Sequence, residues 1–538
     1  MASFLLGLGS GSLDSNNGVS ILNKYTGFFV QDDYRMTPKL TFNLGLRYEY
    51  ETPRTERYDR TTRGFSRAAQ SPLQVPGFNL RGGLVYAGRD GQPRGLYAPD
   101  RNNFAPRIGF AYSLTPKTVV RGGYALHYVP VVGSVDPVGF STTTNMVTSE
   151  DGIVPKDRLS NPFPTGLVPA VGASQGLRTL VGQGISFFEP GDVTPKVHTW
   201  NLNIQKEVFS KSLLQVGYIG SRGINLTSEV AIGNNISENI NQVPVESLSQ
   251  GRALLDVVPN PFFGQITIGA LAGRTVQRQQ LLRPYPQYQN ISRNLPTLGN
   301  SVYHSLQAKF EQRLWHGLST LISYTWSKNM GDLGPYQNNY NRRIERAPMA
   351  FDVPQRLTVT ASWDMPIGKG KRLLGNSSKA LDLALGQWTL SAFNTFQSGF
   401  PLSFGVAQNT LFLAGAGGQR ANLVGDPNDG VSGNITSRLN RYFNPRAFAQ
   451  PADFTFGNIG PRVGWLRSPG MNNYNLTLTK QFAVTERVKV NLRASSFNLL
   501  NHPVFGGPAT TVGVANFGQI GSQANLSRQT EVVLRVLF

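Results

Sequence analysis

Five histidines, His127, His198, His304, His316 and His502, are the first residues to test for metal chemistry. They are dispersed, and none has a partner at the His-Glu-x-x-His spacing that places two imidazoles on one helix face. Asp426-Pro427-Asn428-Asp429-Gly430 has the look of a calcium loop, yet its glycine falls one position early and no bidentate glutamate closes it. A solvated turn is the better reading. Gly368-Lys369-Gly370-Lys371 lacks the following Ser or Thr and the strand–loop–helix setting of a phosphate loop. Cysteine is absent, which excludes thiol nucleophiles, zinc knuckles and disulfides. No nucleophile–base pair suggests itself, so neither catalysis nor a cofactor is expected.

The charges say more. A net charge of +20 raises nucleic acid as a partner. The basic residues are scattered, however, and clusters such as Arg342-Arg343-Ile344-Glu345-Arg346 are short and fall in loop-like sequence. A nucleic-acid footprint should concentrate on one face or element, so that partner is not expected. Instead, cations recur singly in one phase of alternating segments: Arg47, Arg107, Arg121, Lys309, Arg313, Arg356, Lys489, Arg493 and Arg535. They outnumber Glu49, Glu311 and Glu531. If this phase lines an interior, Arg47, Arg107, Arg121, Arg356 and Arg493 are candidates for drawing in an anionic substrate through a focused field. The alternative is that these cations pair with acidic residues of another domain.

What must position them is β structure. The chain holds 58 Gly, 34 Pro, 31 Phe and 19 Tyr against 15% charged residues, a composition suited to turns and pleated strands. No stretch approaches the ~18 consecutive apolar residues of a spanning helix. Phe4-Leu5-Leu6-Gly7-Leu8 comes nearest, and it lacks the basic flank and cleavage site of a secretory signal. Alternation is the dominant signal. Leu40, Phe42, Leu44, Leu46, Tyr48 and Tyr50 share one face, opposed by Thr41, Asn43, Gly45, Arg47 and Glu49. The pattern returns within residues 104–113, 120–128, 200–205, 305–311, 318–327, 356–363 and 488–494. These lengths approach the roughly 9–11 residues of a tilted membrane strand. A soluble sandwich alternates as well. Tyr48, Tyr50, Tyr128, Tyr324, Trp326 and Trp363 fall at segment ends, where a bilayer interface holds amphipathic rings. Membrane is favoured.

Connection lengths agree. Short turns at 36–39, 115–117, 210–212, 315–317 and 485–486 alternate with long stretches at about 51–102, 130–195, 223–302 and 401–472. Outer-membrane barrels show this asymmetry, with periplasmic turns short and external loops long. The connection 366–385 is long for such a turn. At the end, Val532, Leu534, Val536 and Phe538 share a face, and the terminal aromatic resembles the assembly signal of outer-membrane barrels. About thirteen strands are legible, whereas single-chain bacterial barrels use an even number. With short turns in the periplasm the chain would start outside and end inside. At least one earlier strand is then needed, because an unpaired edge in lipid is severely disfavoured; Ala2 to Leu8 is a candidate. Residues 1–538 are therefore expected to form one barrel domain that begins partway round, with Met1 an internal start. The alternative is a small barrel of about fourteen strands.

Phe29-Val30-Gln31-Asp32-Asp33-Tyr34, Leu44-Gly45-Leu46-Arg47-Tyr48-Glu49 and Tyr324-Thr325-Trp326-Ser327-Lys328 together resemble the barrel of TonB-dependent receptors, specifically the Oar-like group. Phe497-Asn498-Leu499-Leu500-Asn501-His502-Pro503, Phe517-Gly518-Gln519-Ile520 and the Phe538 terminus fit the same pattern. The resemblance implies an all-β, antiparallel up-and-down transmembrane barrel of about twenty-two strands, of which about 13–14 are expected here, closed by an N-terminal plug not seen in this sequence. Members commonly carry a carboxypeptidase-regulatory-like domain before the plug. The implied partners are outer-membrane lipid, the barrel assembly machinery and an unidentified substrate, with the bacterial outer membrane as location. The inner-membrane TonB complex would act only through a plug outside this chain. Ser495 stands where the family usually has Glu. Three functions compete: a substrate-importing receptor with its plug encoded upstream, a plugless diffusion porin, and a non-transporting surface β protein that binds partners through long loops. An in-frame plug upstream of Met1 selects the first, and a signal peptide there selects the second. A cleavable signal with detergent-independent solubility points to the third.

Overall fold

Alternating segments acquire a partner on each side in the computed structural model, which describes residues 11–538 apart from 17, 130–136, 150–153, 155, 228–237, 335 and 484–487. The long strands are β1 (Tyr25–Thr37), β2 (Leu40–Glu51), β3 (Phe104–Thr115), β4 (Thr118–Tyr128), β5 (Lys196–Glu207), β6 (Ser212–Leu226) and β7 (Gly299–Trp315). They continue with β8 (Leu318–Gly331), β9 (Gln355–Asp364), β10 (Trp388–Gln397), β11 (Met471–Ala483), β12 (Lys489–Phe497) and β13 (Gln529–Leu537). Each pairs with its neighbour in sequence, and the two-residue strand Ala347–Pro348 adds a bridge at the end of β8. The result is one antiparallel up-and-down sheet. β1 and β13 form its margins and, among the described residues, do not pair with each other.

Register keeps the two phases apart across the sheet. Arg121, Asn203, Gly217, Gln307, Thr325, Arg356 and Gln397 follow one another from β4 to β10. The neighbouring row is Val120, Ile204, Val216, Ala308, Tyr324, Leu357 and Phe396. A slip of one residue in any strand would exchange its polar and apolar sets, so the pattern itself specifies the pairing.

The turns at one end are short. In the β7–β8 turn His316 and Gly317 have φ of 48° and 82°, positive at both central positions as a tight hairpin requires. The turn at 485–486 and the proposed early segment Ala2 to Leu8 lie outside the described residues. The 365–387 connection is long because it holds a helix, Lys379–Leu385, which begins where Ser378 Oγ accepts from the Leu381 amide at 3.3 Å. Lys480 of β11 donates to the carbonyls of Ala384 and Gly386 beside it.

The opposite end carries the long connections, and nearly all the deeply buried apolar side chains lie there. Phe404, Phe443 and Phe448 pack together with Phe517. Phe65, Leu84, Phe187, Tyr288 and Ile291, drawn from three different connections, form a second cluster. A third joins Leu73 and Leu80 to Phe262, Ile266 and Leu271. The stretches read from sequence as loops are loops, but they fold against one another into a packed cap.

Candidate functional site

The polar face of the sheet holds all five candidate arginines, in two states. Arg47 pairs with Glu49 and donates to Tyr25 Oη at 2.8 Å, and Arg493 pairs with Glu531 at 2.8 Å. Arg107, Arg121 and Arg356 have no ion-pair partner among the described residues. Arg121 and Arg356 lie in one cross-strand row, five strands apart, or about 24 Å at ~4.8 Å per strand. Lys309 and Arg313 share Glu311 at 3.5 and 2.7 Å. The arrangement is thus a dispersed basic wall, with Asn203, Gln307 and Thr325 between the cations, and not a focused pocket.

Ser495, the departure from the resembled pattern, faces Glu531 across the β12–β13 ladder. A carboxylate therefore occupies that part of the wall from the adjacent strand, and it takes Arg493. On the other side of β13, Val532, Leu534 and Val536 lie opposite Ala494, Leu492 and Val490 with their side chains exposed, and Phe538 is fully exposed.

Where wall meets cap there is a cavity of about 90 Å³ that the sequence did not disclose. Tyr25, Glu49 and Glu51 enter it from the first two strands, Tyr97 and Asp100 from the next connection, and Glu189 and Asp192 from a third. Four of its carboxylates are already neutralised. Besides Glu49, Glu51 lies 4.0 Å from Arg54, Glu189 2.5 Å from Arg67, and Asp192 against Arg293. Burial pushes the Asp192 carboxyl above its ordinary range, and the Arg293 charge offsets only part of that. Asp100 accepts from the Thr194 amide at 3.3 Å and has no ion-pair partner among the described residues. These residues come from separate connections, so no spacing along the chain could have marked them.

Three arginines, Arg283 and Arg420 buried and Arg467 half-buried, bond across the cap. Arg420 donates to Glu345 at 2.6 Å, and Arg467 to Asp352 at 2.6 Å. Glu345 belongs to the basic cluster at 342–346, so the one carboxylate of that cluster is structural. Burial lifts its carboxyl above the usual range despite Arg420, and the same burial lowers Arg420. Arg283 donates to the carbonyls of Asn241 at 2.7 Å and Gln289 at 3.0 Å, and burial lowers its pKa to about 10. The Asp426 turn is a local one, its carboxylate accepting from the Asn428 amide at 2.8 Å. Among the described residues, no three of His, Asp and Glu gather as a metal site.

A two-faced antiparallel meander, apolar on one side, polar on the other and capped at one end, is the architecture of a membrane β-barrel. The chain matches the family described as outer membrane beta barrel domain over residues 1–531 and belongs to that family. It is accordingly a protein of the outer membrane. No curated protein matches the sequence. Solved structures similar to it include the ferripyoverdine receptor of the outer membrane of Pseudomonas aeruginosa, at 10% identity, 95% coverage of this chain, 38% of the receptor and TM-score 0.40. The outer membrane transporter YddB from Escherichia coli overlaps at 8% identity, 96% and 54% coverage and TM-score 0.40. The ferric-catecholate import receptor Fiu from E. coli K12 does so at 10% identity, 96% and 45% coverage and TM-score 0.38. This chain spans between 38% and 54% of the length of these three.

Two outcomes follow from the cap. Replacing Arg420 by Met alone leaves the Glu345 charge buried and is expected to destabilise the cap by about 3–5 kcal/mol, whereas adding Glu345→Leu recovers much of the loss; protease protection of the cap reads both. Glu56 is buried, which raises its pKa, but backbone amides of Arg60, Ser20 and Tyr58 outweigh this and hold it below the ordinary range. Its folded pKa being depressed, the stabilisation is present above the ordinary carboxylate value and lost as pH falls through the folded one. Protection of the Ser20, Tyr58 and Arg60 amides, taken relative to their intrinsic exchange rates at each pH, should fall on acidification, and Glu56→Gln should abolish that loss.

Proposed function

We propose that this chain is the barrel of a TonB-dependent receptor that takes up a nutrient or other ligand across the outer membrane. The observation that carries the reading is the predominantly polar face shared by thirteen strands, roofed at one end by a packed loop cap. A cap of this kind can select a ligand, and a wet wall beneath it can pass the ligand on. The quoted motifs around Phe29, Tyr324 and Phe497 support the receptor over a plain porin. Coupling to the TonB complex would run through a plug outside this chain. Outer-membrane lipid would contact the apolar face, and the barrel assembly machinery would read Val532, Leu534, Val536 and Phe538.

The wall favours an anionic substrate, because Arg107, Arg121 and Arg356 keep their charge unneutralised by any ion pair among the described residues. Arg493, engaged by Glu531, should contribute less. In the full-length protein Arg121→Gln with Arg356→Gln is expected to slow anionic uptake by about tenfold or more while sparing neutral solutes, and Arg493→Gln to have the smaller effect. Equal losses for anionic and neutral solutes would remove the steering role. Uptake that persists without an energised inner membrane would favour the diffusion porin.

A further inference from the structure

The apolar face is not uniformly apolar. On β5 to β8 one cross-strand row holds Leu202, Tyr218, Leu306 and Trp326. One pleat nearer the cap the row becomes Trp200, Gly220, His304 and Lys328, and the next is His198, Arg222, Val302 and Met330. Lys196 lies beyond His198, and Arg346 precedes the bridge from Ala347 to Gly331. The aromatic layer beneath is rigid. Trp200 lies across Gly220, where a Cβ would run into the indole, and meets His304 edge-on at 6.2 Å. Tyr218 Oη lies 2.6 Å from His304 Nδ1, and Tyr124 Oη 2.8 Å from His198 Nδ1.

Arg222, His304 and Arg346 line one groove of about 580 Å³. Arg222, Lys328 and Arg346 are exposed, and none of them, nor Lys196, has a carboxylate within ion-pairing distance among the described residues. Asp332 in the same groove is engaged by Arg342 at 4.0 Å and by the Asn300 amide. Elsewhere the cap-side ends of this face present Tyr48, Phe104, Phe396 and Tyr474. Within the long strands, the cap-side cations of this face, Lys196, Arg222 and Lys328, all fall on β5 to β8. They sit one to three pleats above an aromatic layer, about 7–20 Å at ~3.3 Å per residue, where rings at a bilayer interface give way to headgroups.

We propose that the outer face of β5 to β8 at the cap end binds the phosphate groups of a membrane glycolipid headgroup. Arg222, Arg346, Lys328 and Lys196 supply donors to the phosphate oxygens, the two arginines through paired N–H groups, while Trp200, Trp326 and Tyr218 hold the boundary with the acyl chains. The site rests on the membrane-spanning reading, which a separate measurement must check. Phosphorylated lipid A, titrated against the intact protein in uncharged detergent and read by native mass spectrometry, is expected to form a saturable adduct. Arg222→Gln with Lys328→Gln should weaken the adduct by about 25-fold, at about fivefold per cation. Lys206→Gln, at the turn end of the same face, should leave it unchanged. Equal binding of dephosphorylated lipid A, equal displacement by inorganic phosphate, or loss of self-association in place of lipid loss would overturn the headgroup site. Failure of the parent protein to enter uncharged phosphatidylcholine vesicles, read by a heat-sensitive gel shift, would instead overturn the spanning reading.

Discussion

Hydrocarbon on one side of a strand and water on the other is the constraint from which the rest of this structure follows. Inside a bilayer no solvent satisfies a stray amide or carbonyl, so each strand must give its backbone groups to neighbours. Its side chains must then answer to two solvents, and the two-residue period of the pleat is the only arrangement that does so continuously. Rows such as Val120–Ile204–Val216–Ala308 beside Arg121–Asn203–Gly217–Gln307 express that demand in register.

The same constraint explains where the core went. A wall whose polar face is wet and whose apolar face meets lipid has no interior of its own to fill. Close packing of aromatic and aliphatic side chains moves to the cap, where Phe404, Phe443, Phe448 and Phe517 form one centre and Phe65, Phe187 and Tyr288 another. Gly- and Pro-rich connections leave many backbone groups without a ladder, and buried polar side chains take them up. Asn241 donates to the carbonyls of Tyr285, Tyr288 and Gln289, and Arg283 beside it serves Gln289 and the Asn241 carbonyl. Charge in the cap thus serves shape, whereas the wall and outer arc hold cations with no ion pair among the described residues.

The strands were legible in the sequence because a period of two shows in any strand on its own. Leu40 to Tyr50 announces its faces without knowledge of its neighbours, and the short turns announce which end is which. The cap was not legible, because its contacts join residues tens to more than two hundred positions apart, such as Phe404 with Phe448 and Phe65 with Tyr288. Arg47, Arg107, Arg121, Arg356 and Arg493 share one phase of the ladder, which alternation along each strand makes visible. Phase alone could not show that Arg47 turns to Glu49 on its own strand and Arg493 to Glu531 across the ladder, while Arg107, Arg121 and Arg356 have no ion pair among the described residues, since that depends on side-chain conformation. The helix at Lys379–Leu385 is not legible because about two turns of mostly Leu and Ala carry little periodicity.

The absence of native cysteine makes the central claim directly measurable. Single substitutions Leu202→Cys, Asn203→Cys, Ile204→Cys and Gln205→Cys along β5, in the protein assembled in outer membrane, can be probed with a water-soluble thiol reagent and a lipid-borne quencher. Positions 203 and 205 are expected to react with the reagent and resist the quencher, and positions 202 and 204 to do the reverse. Uniform reactivity at all four, or the same labelling from protein folded in plain buffer without lipid or detergent, would contradict the account.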